Sequence, residues 1–98
     1  MAIYTNTTSV TTTLITKGGE VSGSIRKITI ANTRSNQPAK VDLYLDDGTN
    51  PAIYFIKGVV IPQDATLVLD DNLSFDSSIY GLKLYNAGVS PSLTVIIK

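Results

Sequence analysis

The chain has no cysteine and no histidine. Without Cys there is no disulfide to staple a small domain, no thiolate nucleophile and no Cys-built zinc site. Without His the commonest general base and the commonest transition-metal ligand are both missing. Most enzyme templates fail at this step, and the expectation is a protein that is not an enzyme, has no catalytic residues and holds no metal or cofactor. Tryptophan is absent and Met occurs once, which leaves Ile, Leu, Val and Tyr to build a core and favours strands. No apolar run is long enough to span a bilayer as a helix. The opening Met1-Ala2-Ile3-Tyr4-Thr5-Asn6 has neither the basic start nor the apolar stretch of a secretory signal. The reading is therefore synthesis in a cytoplasm, with no signal peptide and no membrane partner.

What remains is enough for one domain. A chain of 98 residues can bury one modest core and has no room for a second. Its charges cancel overall but are segregated along the chain. Up to Lys40, Glu20 stands alone against Lys17, Arg26, Lys27, Arg34 and Lys40, whereas between Val41 and Tyr80 Lys57 stands alone against seven aspartates. Folding can interleave these segments into a mixed surface, or leave a basic patch and an acidic one for copies or partners to match.

Apolar residues do not recur at helical spacing, whereas alternation with period two recurs between turn signals every eight to twelve residues. That is the pattern of an all-β, single antiparallel sandwich. Residues 1–9 form a polar segment that suits a mobile arm, a first edge strand or a piece that orders on a partner. Residues 10–98 form the sandwich domain. Val10 to Thr16 reads as a strand, and Lys17-Gly18-Gly19-Glu20 as a tight turn from which Val21 to Asn32 pairs back. Ser22-Gly23-Ser24 interrupts that second strand and predicts a bulge.

Ala39 to Asp46 alternates most clearly, with Val41, Leu43 and Leu45 inward, and Asp47-Gly48 turns it. Ala52 to Lys57 places Ile53 and Phe55 opposite Tyr54 and Ile56, apolar on both faces and so covered on both or facing a partner. Val59-Val60-Ile61 ends at Pro62, which cannot donate to a ladder. Thr66 to Asp70 puts Leu67 and Leu69 inward. Ile79 to Tyr85 puts Leu82 and Leu84 inward with Lys83 and Tyr85 outside. Leu93 to Ile97, continuously apolar, suits a central strand buried on both sides. Seven strands would fit an immunoglobulin-like sandwich and eight a jelly roll.

No constellation rises above turn or surface chemistry. Asp46-Asp47-Gly48-Thr49-Asn50 gathers oxygen ligands but lacks the spacing and closing Glu of an EF-hand, and Asp-Gly between alternating strands is hairpin chemistry. Asp70-Asp71-Asn72 and Asp76 read the same way. Arg26, Lys27, Arg34 and Lys40 are scattered along a chain of neutral net charge, which points away from nucleic acid.

Four segments carry a resemblance. They are the run from Ile25 to Thr33, the run from Val41 to Leu45, Ile61-Pro62 through Asp70, and Tyr80 to Leu84 together with Leu93 to Lys98. Taken together they resemble the small, roughly hundred-residue virion structural proteins of tailed phages, especially marine cyanophages. The resemblance implies a non-catalytic building block in the virion, present in many copies. Its partners would be other virion proteins of capsid, neck or tail, with homo-oligomers compatible. A capsid decoration or cement protein is one form of that reading. A receptor- or glycan-binding module of a tail or fibre is a competing reading from a different class, and a phage-encoded enzyme or nuclease inhibitor, against which the missing His and Cys weigh, is a third. The residues expected at interfaces are Thr5, Thr7 and Thr8 in the arm, Ile53, Tyr54, Phe55 and Ile56 in the doubly apolar strand, and Tyr44 and Tyr85 on outer faces.

Overall fold

Strict alternation decides the strand from Ala39 to Asp46: its odd-numbered side chains are buried and its even-numbered ones face outward. Burying one face of each strand requires a second layer, and a computed structural model shows how it is supplied. The structure describes residues 3–8, 10–18, 25–34, 36–70, 75–87 and 92–98. The described residues form eight strands: β1 (Ile3–Thr7), β2 (Thr11–Ile15), β3 (Ile28–Asn32), β4 (Ala39–Asp46), β5 (Ile53–Ile61), β6 (Thr66–Leu69), β7 (Gly81–Ala87) and β8 (Leu93–Ile97). No helix occurs among the described residues. The strands form two four-stranded antiparallel sheets, ordered β1-β8-β3-β6 (sheet A) and β2-β7-β4-β5 (sheet B).

The pairing follows one rule. β1 pairs with β8, β2 with β7, β3 with β6 and β4 with β5, as in one long hairpin closed at the β4–β5 turn. Rolling that hairpin up adds the contacts β3–β8 and β4–β7. This is the jelly-roll arrangement of two four-stranded sheets, and it decides between the two topologies left open by strand count.

The inner faces interdigitate in a core built from Ile28, Ile30, Val95 and Ile97 on one side and Val41, Leu43, Leu82 and Leu84 on the other, all fully buried. Ile15, Ile25, Ile61 and Leu93 close its ends.

Of the three readings of the polar N-terminal segment, the first edge strand is the one found: Ile3–Thr7 form β1, matched one-for-one with β8. Other expectations are corrected. β2 and β3 do not form a hairpin: β2 pairs with β7 and β3 with β8 and β6, in different sheets. The Gly18 amide donates to the Ser77 carbonyl (2.7 Å), so this turn docks on the segment before β7. Gly81 allows the close approach, because a Cβ there would lie 3.0 Å from the Ile15 carbonyl oxygen. The bulge expected at Ser22-Gly23-Ser24 lies outside the described residues. β8 is central, but only one of its faces is buried, since Thr94 and Ile96 are half-exposed on the other.

The segments expected as Ala52–Lys57 and Val59–Ile61 are one strand, β5, that carries two irregularities. Val41 and Leu43 oppose Val59 and Ile56, and Leu43 and Tyr44 oppose Ile56 and Tyr54. β5 therefore has one extra residue in each interval, the signature of a bulge. Gly58 adopts φ +69°, where a side chain is strained, and its amide donates to Asp42 Oδ1 (2.6 Å). The bulges overturn the expected faces. Ile56 lies opposite Leu43 on the core side, not beside Tyr54, and Phe55 also packs against the core.

One buried polar side chain closes the end of the sandwich where β5 crosses to β6. Asn32, 2% exposed, donates from Nδ2 to the carbonyls of Ile61 (3.1 Å) and Gln37 (3.0 Å). Its Oδ1 accepts from the Arg34 amide (3.1 Å), and its own amide donates to Ala65 O (2.9 Å). Replacing Asn32 by Ala strands carbonyls away from water. The expected loss is about 2–3 kcal/mol, read as a shift of the urea midpoint at unchanged slope, with Asn32→Asp costing more because a carboxylate would face those carbonyls. Gly58→Ala is expected to lose about 1–2 kcal/mol through its left-handed backbone, read the same way.

Candidate interaction surface

Because β4, β7, β2 and β5 turn alternate residues outward, the ladder itself assembles the outer face of sheet B. One cross-strand row reads Thr13, Lys83, Tyr44 and Tyr54, and the next reads Thr11, Tyr85 and Asp42. The rings of Tyr44 and Tyr54 sit 5.5 Å apart, tilted by 48°, a favourable aromatic geometry. Lys57 Nζ lies 4.6 Å from the centre of the Tyr54 ring, within cation–π range. Tyr54 and Tyr85 are exposed and Tyr44 is half-buried. Burial raises the Tyr44 phenol above its usual range, opposed by the nearby Lys83 ammonium.

At one end of this face the β4–β5 hairpin is held by its own carboxylates. Asp46 Oδ1 accepts from the Gly48 amide (2.8 Å) and Oδ2 pairs with Lys83 Nζ (2.9 Å). The Lys83 bond is the main cause of a lowered Asp46 pKa and, reciprocally, of a raised Lys83 pKa. Asp47 accepts from the amides of Asn50 (2.7 Å) and Thr49 (2.8 Å) and from Asn50 Nδ2 (2.7 Å). These bonds, Asn50's first, hold its carboxyl at about 2. The oxygens that made this loop a candidate cation site are thus engaged by N–H groups and an ammonium. Among the described residues no group of three or more acidic side chains is placed to hold a metal ion. Between this hairpin and the end of β2 lies an open cleft of about 260 Å³, lined by Thr13, Thr16, Lys17, Asp46, Asp47, Gly48, Gly81 and Lys83. Lys17 Nζ bridges it by donating to Asp47 O (2.9 Å).

The nine residues expected at interfaces fall into three places. Tyr44, Tyr54 and Tyr85 come together on the outer face of sheet B. Phe55 and Ile56 pack against the core, while Ile53 sits opposite Leu45 at the rim and stays 48% exposed. Thr5, Thr7 and Thr8 lie on the far flank: Thr5 is half-buried, Thr7 is buried and hydrogen-bonded to the Thr12 hydroxyl, and Thr8 is exposed beyond β1. The basic residues do not converge, since Arg26 and Lys27 precede β3, Arg34 follows it and Lys40 lies on sheet B.

Sequence reasoning missed the second outer face altogether. On sheet A the outward rows are Tyr4, Ile96, Thr29 and Val68, then Asn6, Thr94, Ala31 and Thr66. None of these eight carries a charge, and Tyr4 is 67% exposed. The available signal was the alternation of Ile3, Thr5 and Thr7 with Tyr4 and Asn6, hidden because threonine occupies inward positions. No protein-family model matches the chain, and no curated protein matches it.

The hairpin carboxylates set an acid limit. Asp47 binds a proton at 3.8 when unperturbed and at about 2 in the fold, so between these values the folded state holds fewer protons than the unfolded. Its contribution is full above about pH 4 and is lost as the pH falls through about 2. Melting temperature should fall across this window, and Asp47→Asn, which keeps an acceptor oxygen but no charge, should show a shallower fall.

Proposed function

We propose that this chain is a non-enzymatic structural protein of a phage virion, a capsid decoration or cement subunit or another exterior component that binds neighbouring virion proteins. The observation that carries the reading is the pair of sheet faces, one whose strands are uncharged and one bearing tyrosines among interleaved charges, on a fold whose hairpin carboxylates are engaged by their own turn and by Lys83. Such a molecule offers surfaces. The jelly roll is an architecture used by viral capsid domains, a support by analogy of fold, and the segment-level resemblance to phage virion proteins points the same way.

Tyrosine is enriched where surfaces become interfaces because it buries a large ring at small entropy cost while keeping a polar tip. Tyr44, Tyr54 and Tyr85 are accordingly the contacts assigned to a neighbouring virion protein. A second reading, a glycan-binding module of tail or fibre, is favoured by one arrangement: the Tyr44–Tyr54 pair adjoins, through Lys83, a cleft lined with hydroxyl, carboxylate and ammonium groups. Rings of this kind stack on sugar faces and such groups bond sugar hydroxyls, and lectin domains also use this fold.

Purified chain added to particles lacking it should bind saturably, and Tyr44→Ala with Tyr54→Ala should weaken binding at least tenfold while the chain stays folded, with a melting temperature lowered by about 4–8 °C for the lost cross-strand aromatic pair. Antibody labelling of intact particles should decorate their exterior. Absence of affinity for any particle protein, together with binding on a glycan array, would replace the structural reading with the glycan one.

A further inference from the structure

A sandwich has four edge strands, each a row of backbone donors and acceptors open to another chain. Among the described residues they are β1 and β6 of sheet A and β2 and β5 of sheet B, and three of them carry features that blunt pairing. β5 has two bulges, Lys57 on its course and Pro62 after it. β2 shifts register between Thr13 and Ile15. β6 is four residues long and follows a turn in which Asp64 adopts φ +57°. β1 alone has none of these: all five residues match β8 without a slip, and it contains neither charge nor proline.

The flank around β1 is equally unguarded. The first charged residue of the chain is Lys17, so both strands of this flank, β1 in one layer and β2 in the other, are free of charge. The two are tied by the Thr7–Thr12 hydroxyl bond. The opposite flank, β5 and β6, carries Lys57, with Asp64 and Asp70 beside it.

From this we infer that β1 pairs antiparallel with β1 of a second copy about a twofold axis at Thr5, joining two A sheets into one of eight strands. The occupant is a second copy because the flank is self-compatible. Full overlap of the five residues sets Thr5 against Thr5 and Tyr4 against Asn6 of the other chain, so no like charges meet. Ile3, half-buried in one copy, comes to lie against Thr7 of the other. The two Tyr4 rings become diagonal neighbours, within reach of aromatic side chains. The outer face of sheet B does not have this property, since a twofold axis through it would oppose copies of Lys40, Lys57, Lys83, Asp42 and Asp46.

The size of the contact sets its strength. Five residues at about 3.4 Å each give a strip about 17 Å long, and two layers of sandwich give a footprint of a few hundred Å² per copy, below the roughly 800 Å² per partner of a standard interface. The pair is therefore weak and reversible in solution, and becomes extensive where copies are already held side by side. The inference uses only the fold and its edges, so it stands or falls separately from the virion reading.

Sedimentation equilibrium of the isolated chain tests it. Weight-average mass should rise toward twice that of one chain between about 10 µM and about 1 mM, the range expected of so small an interface. Tyr4→Lys with Asn6→Lys, both at exposed positions, should remain at the mass of one chain across the range. So should Tyr4→Asp with Asn6→Asp, whereas an equimolar mixture of the two variants should restore the twofold mass. Dilution of the unmodified chain should also move amide resonances over residues 3–8 and leave those of β5 in place, a measurement that requires no variant. A chain monomeric at 1 mM would overturn the inference. So would association that survives the lysine pair, or dilution shifts confined to β5 or the tyrosine face.

Discussion

The sandwich depends on a buried amide at the end where its layers cross. Moving from β5 in one sheet to β6 in the other takes the chain around a corner at Pro62–Ala65, and the β3–β4 connection makes a second crossing beside it. Backbone groups at such corners leave the ladders and still need partners, because an unpaired carbonyl away from water carries its full desolvation penalty. Asn32 supplies them from one residue: its Nδ2 holds Ile61 and Gln37 carbonyls, its Oδ1 holds the Arg34 amide and its own N–H reaches Ala65. The Asp64 amide, donating to Arg34 O (3.0 Å), adds a second tie between the same two corners. With both crossings fixed in one network, β3 and β6 are aligned to pair, and the inner rows Ile28–Leu69 and Ile30–Leu67 meet the core in register. An apolar residue at this site would fill the volume and leave the corners unbonded.

Once the inner faces are committed to the core, the outer faces are free to diverge, and they do. Sheet B interleaves Lys40, Lys57 and Lys83 with Asp42 and Asp46 around three tyrosines, so the charge segregation seen along the sequence becomes a mixed surface in space. Sheet A presents eight uncharged side chains in two straight rows. The bulges of β5 belong to the same division of labour: they bend and twist an edge that would otherwise be long and apolar. They also turn Ile56 toward the core, leaving Tyr54 with Lys57 on the wet side. The strand that looked apolar on both faces is thus an edge strand whose surplus of apolar residues is absorbed by changes of register.

Local alternation made much of this legible. β4 is found with the bounds its pattern dictates, and the inward side chains of β6 and β7 are those that alternation selects, whereas the continuous apolar run of β8 concealed that one of its faces stays half-exposed. Turn chemistry was legible too, since Asp46-Asp47-Gly48 bonds its own backbone in the manner of such hairpins. What did not transmit was partnership. A glycine turn after β2 has the same composition whether the next strand returns alongside or crosses to the other sheet, and the choice is made by β7 and β8, far along the chain. Bulges are invisible for a related reason: period two is a property of the pairing, and an added residue is detectable only against the strand it faces. Tyr44 and Tyr85 were legible as outward residues because each alternates with strong core formers, whereas Tyr54 was not, because bulges set its face, and Asn32 was not, because a strand-terminal Asn usually marks a loop.

The same bias that concealed β1 gives it its character as an edge. Threonine at positions 5 and 7 satisfies the β preference of the backbone and is small enough to lie at the rim of the core, yet in sequence it reads as polar and breaks the alternating pattern. A lysine in its place would have marked a guarded edge, and a run of valine and isoleucine would have made a strand prone to indiscriminate pairing. Hydroxyls take a middle course. They engage neighbours within the fold, as Thr7 does with Thr12 and as Thr94 does by donating to Asn6 Oδ1 (2.7 Å). β1 keeps its register with β8 without a slip, no strand among the described residues pairs on its outer side, and its own five residues carry no charge that an approaching chain would have to desolvate. An edge so built discriminates by geometry: it accepts a strand of matching length and neutral surface, and its own copy meets both conditions.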